Sequence, residues 1–275
     1  MTSTFLSPMT KSDLTQIFDN EAQQIVSDLL LTSTYFQPSE LPGQQLPVHI
    51  PKEHIEQFCV QALGSQPVGA GSYPVDIIDN RGFGADIKML SCKLNKEGKL
   101  TKSSSGETSL LQNFSITNLD RYFNESDYES IKNLWVKFLK NKYQQVFEDH
   151  PCINHLYYFF ILRAKQEFYL TGCKLNLEEL QNVTLNDNRS TENSVFLNGI
   201  IPEEFGNAKI YKAKKRLELR LCPLKWKNNY SLYFQKKSKS RPIVLKNLGK
   251  KYSQHWDSVI NHFKELINNN KITSE

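Results

Sequence analysis

The chain has 275 residues, a net charge of +5 and a mean hydropathy of −0.50, and 39% of its residues are hydrophobic. This composition is typical of a soluble globular protein that is long enough to bury a core. The longest apolar run, Leu156 to Leu162, is far too short to cross a bilayer, so we expect no membrane partner. The five cysteines are widely spaced and form no C-x-x-C pair, which argues against a disulfide scaffold or a zinc knuckle. With no signal-peptide pattern at the N-terminus, we expect a cytoplasmic protein.

The first third of the chain predicts two helices followed by a β-hairpin. Apolar residues at helical spacing predict a helix over 12–31, and a proline-rich loop follows at 32–50. Pro51 stands at the first-turn position of a second predicted helix over 51–63. Two predicted strands, 73–78 and 84–92, are joined by the turn sequence DNRGFG.

The remainder predicts further strands between two long helices. Residues 95–109 are polar and predict a mobile segment, and 110–117 are a weak strand candidate. Ser126 and Glu129 have the spacing of a capping box at the start of a helix over 126–147. Later elements are strands at 156–162, 167–173, 216–222 and 230–234 and a helix at 253–268. We therefore predict an α/β (mixed α+β) fold, a central mixed β-sheet flanked by helices, as one domain over 1–275.

Charge is distributed unevenly along the chain. Residues 201–275 carry 17 Lys and Arg against 6 Asp and Glu, a balance of +11, whereas residues 1–200 carry 17 against 23, a balance of −6. Tyrosines and Trp226 are interleaved with the basic residues. Such a cationic, aromatic-bearing region is typical of a surface that binds a polyanion, although a solvated basic surface is the alternative. The acidic first part argues against a simple basic binding module.

The predicted hairpin brings together the residues with the most chemical information. Side chains alternate between the two faces of a strand, so Asp86, Lys88 and Leu90 share one face. Asp76 lies in the first strand among apolar neighbours, a poor position for an ordinary surface residue. If the strands pair across the turn, Asp76 and Asp86 come close together. The competing interpretation is a surface hairpin with a weak, exposed Asp86–Lys88 ion pair.

Two adjacent carboxylates repel each other and do not both ionise easily without a cation. A hard divalent ion with oxygen ligands resolves this, and Mg²⁺ needs only one or two carboxylates together with water and phosphate. Lys88 lies beside the space that such an ion would occupy. The pattern therefore predicts a Mg²⁺ site at Asp76 and Asp86.

The sequence Pro74-Val75-Asp76, followed after nine residues by Asp86-Ile87-Lys88, resembles the bipartite signature of the PD-(D/E)XK nuclease superfamily, which includes most type II restriction endonucleases. The resemblance covers about residues 51–92, and it departs from the signature in placing Val75 between the proline and the acid. An acid on the preceding helix is frequent in the family, and Glu56 is the candidate here. The family core usually has a third strand before its next helix, for which 110–117 is the candidate segment.

The resemblance implies a role for each of these residues. Asp76, Asp86 and the backbone carbonyl of Ile87 would bind the metal, and Glu56 would assist through water or a second ion. Lys88 would orient and deprotonate the attacking water and stabilise the charge that develops on the phosphate. The residues that contact DNA are not predicted; polar residues of 101–113, including Gln112 and Asn113, belong either to a connector or to a loop that orders against DNA.

The function implied is that of a Mg²⁺-dependent type II restriction endonuclease that cuts double-stranded DNA at a short specific sequence. The implied fold is restriction-endonuclease-like, with a catalytic core over about 51–175 and a basic part, 206–275, that helps to bind DNA. The family resemblance also implies a homodimer and a cognate DNA methyltransferase that acts in the same system without being a bound subunit. The alternatives are a non-catalytic nucleic-acid-binding protein and a repair or transposition nuclease of the same superfamily.

Overall fold

The structure is a computed structural model that describes residues 3–33, 50–68, 73–97, 100–164 and 167–235, together with Asn261 and Glu265. The two isolated residues are helical. Apart from them, the predicted helix over 253–268 lies outside the described residues. The same is true of the basic segments at 236–241 and 249–251 and of most of the predicted loop over 32–50.

The helices and strands follow one another along the chain in the order given next. They are β1 (Leu6–Pro8), α1 (Lys11–Ile17), α2 (Asn20–Ser33), α3 (Lys52–Leu63), β2 (Gln66–Pro67), β3 (Ile77–Asp79), β4 (Phe83–Leu94), β5 (Leu100–Ser105), β6 (Glu107–Gln112), α4 (Leu119–Asn124), α5 (Tyr128–Asp149), β7 (His155–Ala164), β8 (Glu167–Leu175), a 3₁₀ helix (Leu177–Asn182), β9 (Thr184–Leu185), β10 (Ser194–Asn198), β11 (Gly206–Tyr211), β12 (Arg216–Leu221), α6 (Pro223–Trp226) and β13 (Leu232–Gln235).

The larger sheet is mixed, as predicted. Its strand order is β1-β8-β7-β4-β3-β2, with β13 also pairing with β8 and β5 with β4. β4 and β7 run parallel over residues 83–91 and 155–163, and the other pairs are antiparallel. A parallel pair needs a long crossover connection. Here β5, β6, α4 and α5 supply it.

The central strand β7 is buried on both faces, which explains its continuous apolar sequence. Tyr158, Phe160 and Leu162 pack with α5 and the smaller sheet. Phe159 and Ile161 pack on the opposite face with α1, α2 and α3. The larger sheet is therefore a layer between two hydrophobic cores, with helices against each of them.

A second sheet was not predicted from the sequence. It contains five antiparallel strands in the order β6-β12-β11-β10-β9. Leu217, Leu219 and Leu221 of β12 point into the core shared with α5, and the charged residues between them lie on the opposite face. The residues between β8 and β11 contribute β9, β10 and the 3₁₀ helix.

Several local predictions were wrong. The segment 95–109 is largely strand, because β5 pairs with β4 and β6 pairs with β12. The first predicted helix is interrupted after Ile17 and continues as α2.

The cap of α5 is also not the predicted one. Asp127 caps the helix by accepting a hydrogen bond from the Ser130 N–H at 3.1 Å, whereas Ser126 has a left-handed backbone with φ of 55°. The predicted strand over 73–78 is shorter, since pairing begins at Ile77.

Within the described residues, none of the helices combines the length and the apolar character needed to cross a membrane.

Candidate active site

The β3–β4 hairpin determines where the two acids lie. Ile77 pairs with Ala85 and Asp79 with Phe83, and the same register extended by one residue places Asp76 opposite Asp86. The Asp76 N–H donates to the carbonyl of Ala85 at 2.9 Å, which holds the backbone in that register. The predicted proximity of the two acids is therefore present in the structure.

The turn of this hairpin is held by a third acid. Asp79 is buried and accepts hydrogen bonds from Ser65 Oγ at 2.5 Å and from Arg81 Nε at 2.7 Å. Burial opposes ionisation, but these bonds from Arg81 and Ser65 hold the pKa of Asp79 below its usual value. Gly82 has φ of 84°, which favours glycine, and a Cβ there would meet Cys152 O at 3.2 Å. Asp79 therefore has a structural role.

The faces of β4 are those predicted from strand alternation. Leu90 belongs to the core shared with α5. Ala85 and Ile87 belong to the core formed with α1, α2 and α3. Asp86 and Lys88 accordingly point toward α5, because they alternate with the residues that face the other core.

Three oxygen atoms converge on the Lys88 amine. Lys88 Nζ lies 3.3 Å from Asp76 Oδ2 and 3.2 Å from the Ile87 carbonyl oxygen, and it forms an ion pair with Asp86 Oδ1. The Ile87 N–H donates to Asp76 Oδ2 at 2.7 Å. The side chains are only 18% exposed for Lys88, 14% for Asp76 and 8% for Asp86. The alternative of an exposed surface ion pair is therefore wrong.

The two acids differ in the ease with which they ionise. Burial, together with the neighbouring Asp76 charge, raises the pKa of Asp86 to about 6, although Lys88 and Lys142 oppose the shift. Burial also disfavours the charge of Asp76, but the Lys88 ammonium, a hydrogen bond with Asp86 and the Ile87 N–H hold its pKa below the usual range. Asp86 thus ionises less easily than a free carboxyl group, and an added cation beside it would favour its charged form.

Glu56 reaches this group through another lysine. It lies on α3 and forms an ion pair with Lys52 at 2.8 Å, while Lys52 Nζ lies 3.7 Å from Asp76 Oδ1. The structure therefore places Glu56 at the edge of the acidic pair, with the Lys52 amine between Glu56 and Asp76.

Lys142 and two tyrosines belong to the site but were not predicted. Lys142 lies on α5, donates to the Leu110 carbonyl at 2.9 Å and approaches Asp86 Oδ2 at 4.0 Å. Burial lowers the pKa of its amine, and Asp86 offsets this only in part. Burial and the charge of Asp86 raise the pKa values of Tyr143 and Tyr158 well above the usual value, so both hydroxyls stay neutral.

A sequence signal for Lys142 does exist. The buried stripe of α5 includes Trp135, Leu139 and Val146. Lys142 falls three residues after Leu139 and four before Val146, so a helical wheel places its charge within the apolar stripe. A lysine in that position needs a partner, and the partner is Asp86 from β4.

The donor set fits a hard divalent cation. Among the described residues, no three or more His, Cys, Asp or Glu side chains form a group that could hold a metal ion. Two carboxylates and a peptide carbonyl nevertheless point their oxygens at one position, which the Lys88 ammonium occupies. Oxygen-only donors with few carboxylates are what Mg²⁺ takes in proteins when water and phosphate complete its coordination. The residues present therefore fit Mg²⁺.

Comparisons of this chain with protein-family models, with curated proteins and with solved structures give no match. No family is shown by these comparisons. The resemblance to the PD-(D/E)XK signature remains a prediction that depends on residues 51–92.

Proposed function

We propose that this chain is a Mg²⁺-dependent endonuclease of the PD-(D/E)XK type that hydrolyses phosphodiester bonds in double-stranded DNA, with the role of a type II restriction enzyme. The observation that carries the proposal is the convergence of Asp76, Asp86 and the Ile87 carbonyl on one cation position beside the amine of Lys88. This combination provides both a metal-binding set and a positive group next to it, as phosphodiester hydrolysis requires.

The order of elements also supports the proposal. A helix, α3, precedes the two strands that carry the motif, β3 and β4. β5 then pairs with β4, so a third strand precedes the next long helix, α5, as in the nuclease core. This third strand lies at Leu100–Ser105 rather than at the predicted 110–117. β7 follows α5 and pairs in parallel with β4.

Each residue of the site has a distinct part in the reaction. Asp76, Asp86 and the Ile87 carbonyl would hold Mg²⁺, and Glu56 would contribute from the edge of the site. The bound ion would supply Lewis-acid polarisation of the phosphate and a lower pKa for the attacking water. Lys88, displaced from the oxygens by the ion, would lie beside the reacting phosphate, orient the water and stabilise the negative charge that develops during attack.

Lys142 acts through Asp86 as a positioning residue. Its amine faces Asp86 Oδ2, while the other carboxylate oxygen faces Lys88. The carboxylate is therefore held from both sides, which orients it toward the cation position. Hydrolysis of this kind would leave a 5′-phosphate and a 3′-hydroxyl, and two-fold symmetric cutting of a palindromic site would require a homodimer.

The direct test is cleavage of a long mixed-sequence DNA by the purified protein in Mg²⁺ and in EDTA. We expect discrete fragments in Mg²⁺ only. Asp86→Asn should abolish them while leaving DNA binding in place, whereas Lys93→Gln, which changes an exposed residue further along β4, should cut like the wild type. Cleavage by Asp86→Asn at the wild-type rate would refute the assignment.

A second candidate function is non-catalytic binding of nucleic acid. The basic excess of residues 201–275 and the lack of a third acid in the described metal-binding set favour it. A mobility shift without Mg²⁺-dependent fragments would support this function. Random nicking or branch-dependent cutting would instead indicate a repair or transposition nuclease, and protection of host DNA by a methyltransferase encoded beside this chain would support the restriction role.

A further inference from the structure

The β11–β12 hairpin has an unusual concentration of positive charge. Its residues 206–221 contain six Lys and Arg and one Glu, so the hairpin has a net charge of six minus one, or +5. The whole chain has the same net charge of +5. The inward residues of this hairpin are apolar and pack in the core, and the cations lie on its other face and in its turn.

On the outer face the cations are held in place by two acids. Glu218 is 1% exposed and pairs with Lys214 at 3.2 Å and with Arg216 Nε at 2.8 Å. Glu107 of β6 lies opposite Arg220, forms an ion pair with it, and pairs with Lys209 at 3.2 Å.

The result is a set of preorganised cations at the surface. Lys214 is 46% exposed and Arg220 43%, whereas Glu218 is covered by its partners. Lys209 and Lys214 also lie over the ring of Tyr211, at 5.0 and 5.3 Å from its centroid. Side chains that are already ordered lose less entropy on binding, so such a face is suited to bind phosphates rather than to remain only solvated.

The turn of the hairpin adds further cations, which are anchored by neutral hydrogen-bond acceptors. Lys212 Nζ donates to Asn124 at 2.9 Å, and Lys215 Nζ donates to the Ile116 carbonyl at 3.3 Å. The turn backbone is held by Gln112, whose Nε2 donates to the Lys214 carbonyl at 3.1 Å. Gln112 was a candidate for contacts with bases, and in the structure its amide is committed to this turn.

Strand β6 connects this surface to the candidate active site. Glu107 pairs with the hairpin cations, and Leu110 of the same strand accepts the hydrogen bond from Lys142, which approaches Asp86 at 4.0 Å. Three residues of strand span about 10 Å. The Leu110–Lys142 and Lys142–Asp86 distances add 2.9 and 4.0 Å to this path. Each strand of a duplex has one phosphate per about 3.4 Å of helix axis, so by this path Glu107 lies about five nucleotides from the cation position.

We propose that the outer face and turn of the β11–β12 hairpin bind the phosphodiester backbone of duplex DNA beside the cleavage position. The surface is defined by Lys209, Lys212, Lys214, Lys215, Arg216 and Arg220. This assignment rests on the proposed nuclease function and deepens it, because it names the surface that delivers the substrate. Contacts to phosphates give affinity and position but no sequence preference.

The test compares two variants that lose the same charge. Lys212→Gln/Lys214→Gln removes two cations from the surface. Lys225→Gln/Lys227→Gln removes two exposed cations at α6, where Lys225 pairs with Glu204 and Lys227 lies over Tyr169. Binding of a fluorescent random-sequence duplex is measured by anisotropy in EDTA over a range of salt concentrations, so cleavage does not interfere. Circular dichroism melts confirm that both variants are folded.

We expect the hairpin variant to bind about tenfold more weakly. The slope of log K against the logarithm of the salt concentration should become shallower by about 1.8, since each neutralised phosphate contributes about 0.9 to that slope. The α6 variant should bind within about twofold of the wild type, because its cations lie outside the surface. Unchanged binding by the hairpin variant, or an equal loss in both variants, would overturn the assignment. Hairpin-dependent binding without any cleavage in Mg²⁺ would instead refute the nuclease proposal and leave the assignment of the surface intact.

Discussion

Two pairs of acids lie in this molecule, and their surroundings give them different properties. Asp76 and Asp86 on the larger sheet face Lys88 and Lys142, whose side chains are each only 18% exposed. Glu107 and Glu218 on the second sheet are surrounded by Lys209, Lys214, Arg216 and Arg220, and two of these, Lys214 and Arg220, extend toward solvent.

The pKa shifts express this difference. Burial and repulsion raise the pKa of Asp86 to about 6, while the Lys88 ammonium holds the pKa of its neighbour Asp76 below the usual value. At the second pair, burial is outweighed by a hydrogen bond with Glu218 and by the surrounding cations, so the pKa of Glu107 is lowered. A pair of acids is therefore prepared for an added cation where burial and repulsion dominate. Where some of the surrounding cations reach solvent, as Lys214 and Arg220 do, the pair instead orders those cations for a partner of opposite charge.

The largest expected effect is that of Lys88→Gln. The amine occupies the position where three oxygens converge, so its removal should strengthen Mg²⁺ binding, by about tenfold, because the ion no longer has to displace a positive charge. Cleavage should fall by about 10³-fold, since the transition-state charge loses its partner. Isothermal titration calorimetry and plasmid cleavage check the two effects separately. Weaker Mg²⁺ binding in this variant would contradict the assigned cation position.

The next largest effect is one on stability, and it concerns Glu218 of the Glu107–Glu218 pair. Glu218→Gln removes the buried carboxylate that binds Lys214 and Arg216, and we expect the free energy of unfolding to fall by about 3 kcal/mol, because each hydrogen bond to a charged group contributes about 1.5–3 kcal/mol. Urea denaturation measures this change. The matched control is Glu125→Gln on α4's C-terminal side, where an exposed pair with Arg121 should contribute less than about 1 kcal/mol. Equal effects of the two variants would show that Glu218 does not order the cations.

Asp86→Asn should raise the free energy of unfolding in the absence of metal, whereas Glu218→Gln lowers it, and the increase should depend on pH. The pKa of Asp86 is about 6 in the folded protein against an ordinary value of 3.8, so its ionisation destabilises the folded state. The penalty is absent below pH 4, develops between pH 4 and 6 and is complete above pH 6. The variant should therefore match the wild type at pH 4 and exceed its unfolding free energy by up to about 3 kcal/mol at pH 8. Thermal melts across this range, with Asp120→Asn at an exposed site as control, test the sign.

The smallest expected effect on catalysis is that of Lys142→Gln. Because Lys142 orients Asp86 without occupying the cation position, we expect cleavage to fall by about 10²-fold and the Mg²⁺ concentration needed for half-maximal rate to rise. Lys140→Gln, on the exposed side of the same helix, is the matched control and should behave as the wild type. A loss of rate with no change in Mg²⁺ dependence would show that Lys142 acts elsewhere than through Asp86.

The candidate site could be predicted in part because it is local. Asp76, Asp86 and Lys88 lie within thirteen residues of one another, and strand alternation with a short turn is sufficient to bring them together. The mixed larger sheet could likewise be predicted from its apolar strands. The strand structure of residues 100–109 could not, because their polar side chains give no signal, and pairing with β4 and β12 determines it.

The sequence by itself determined the acidic hairpin, its faces and the concentration of positive charge after residue 201, since all three depend on neighbours along the chain. Only the tertiary structure decided that Lys142 meets Asp86 across 56 residues and that Glu107 meets Arg220 across 113 residues. It also decided that β6 joins the cationic hairpin to the candidate site. Such contacts form only when distant segments pack together, and the alternation of residue types within one segment does not encode which distant segment will be its partner.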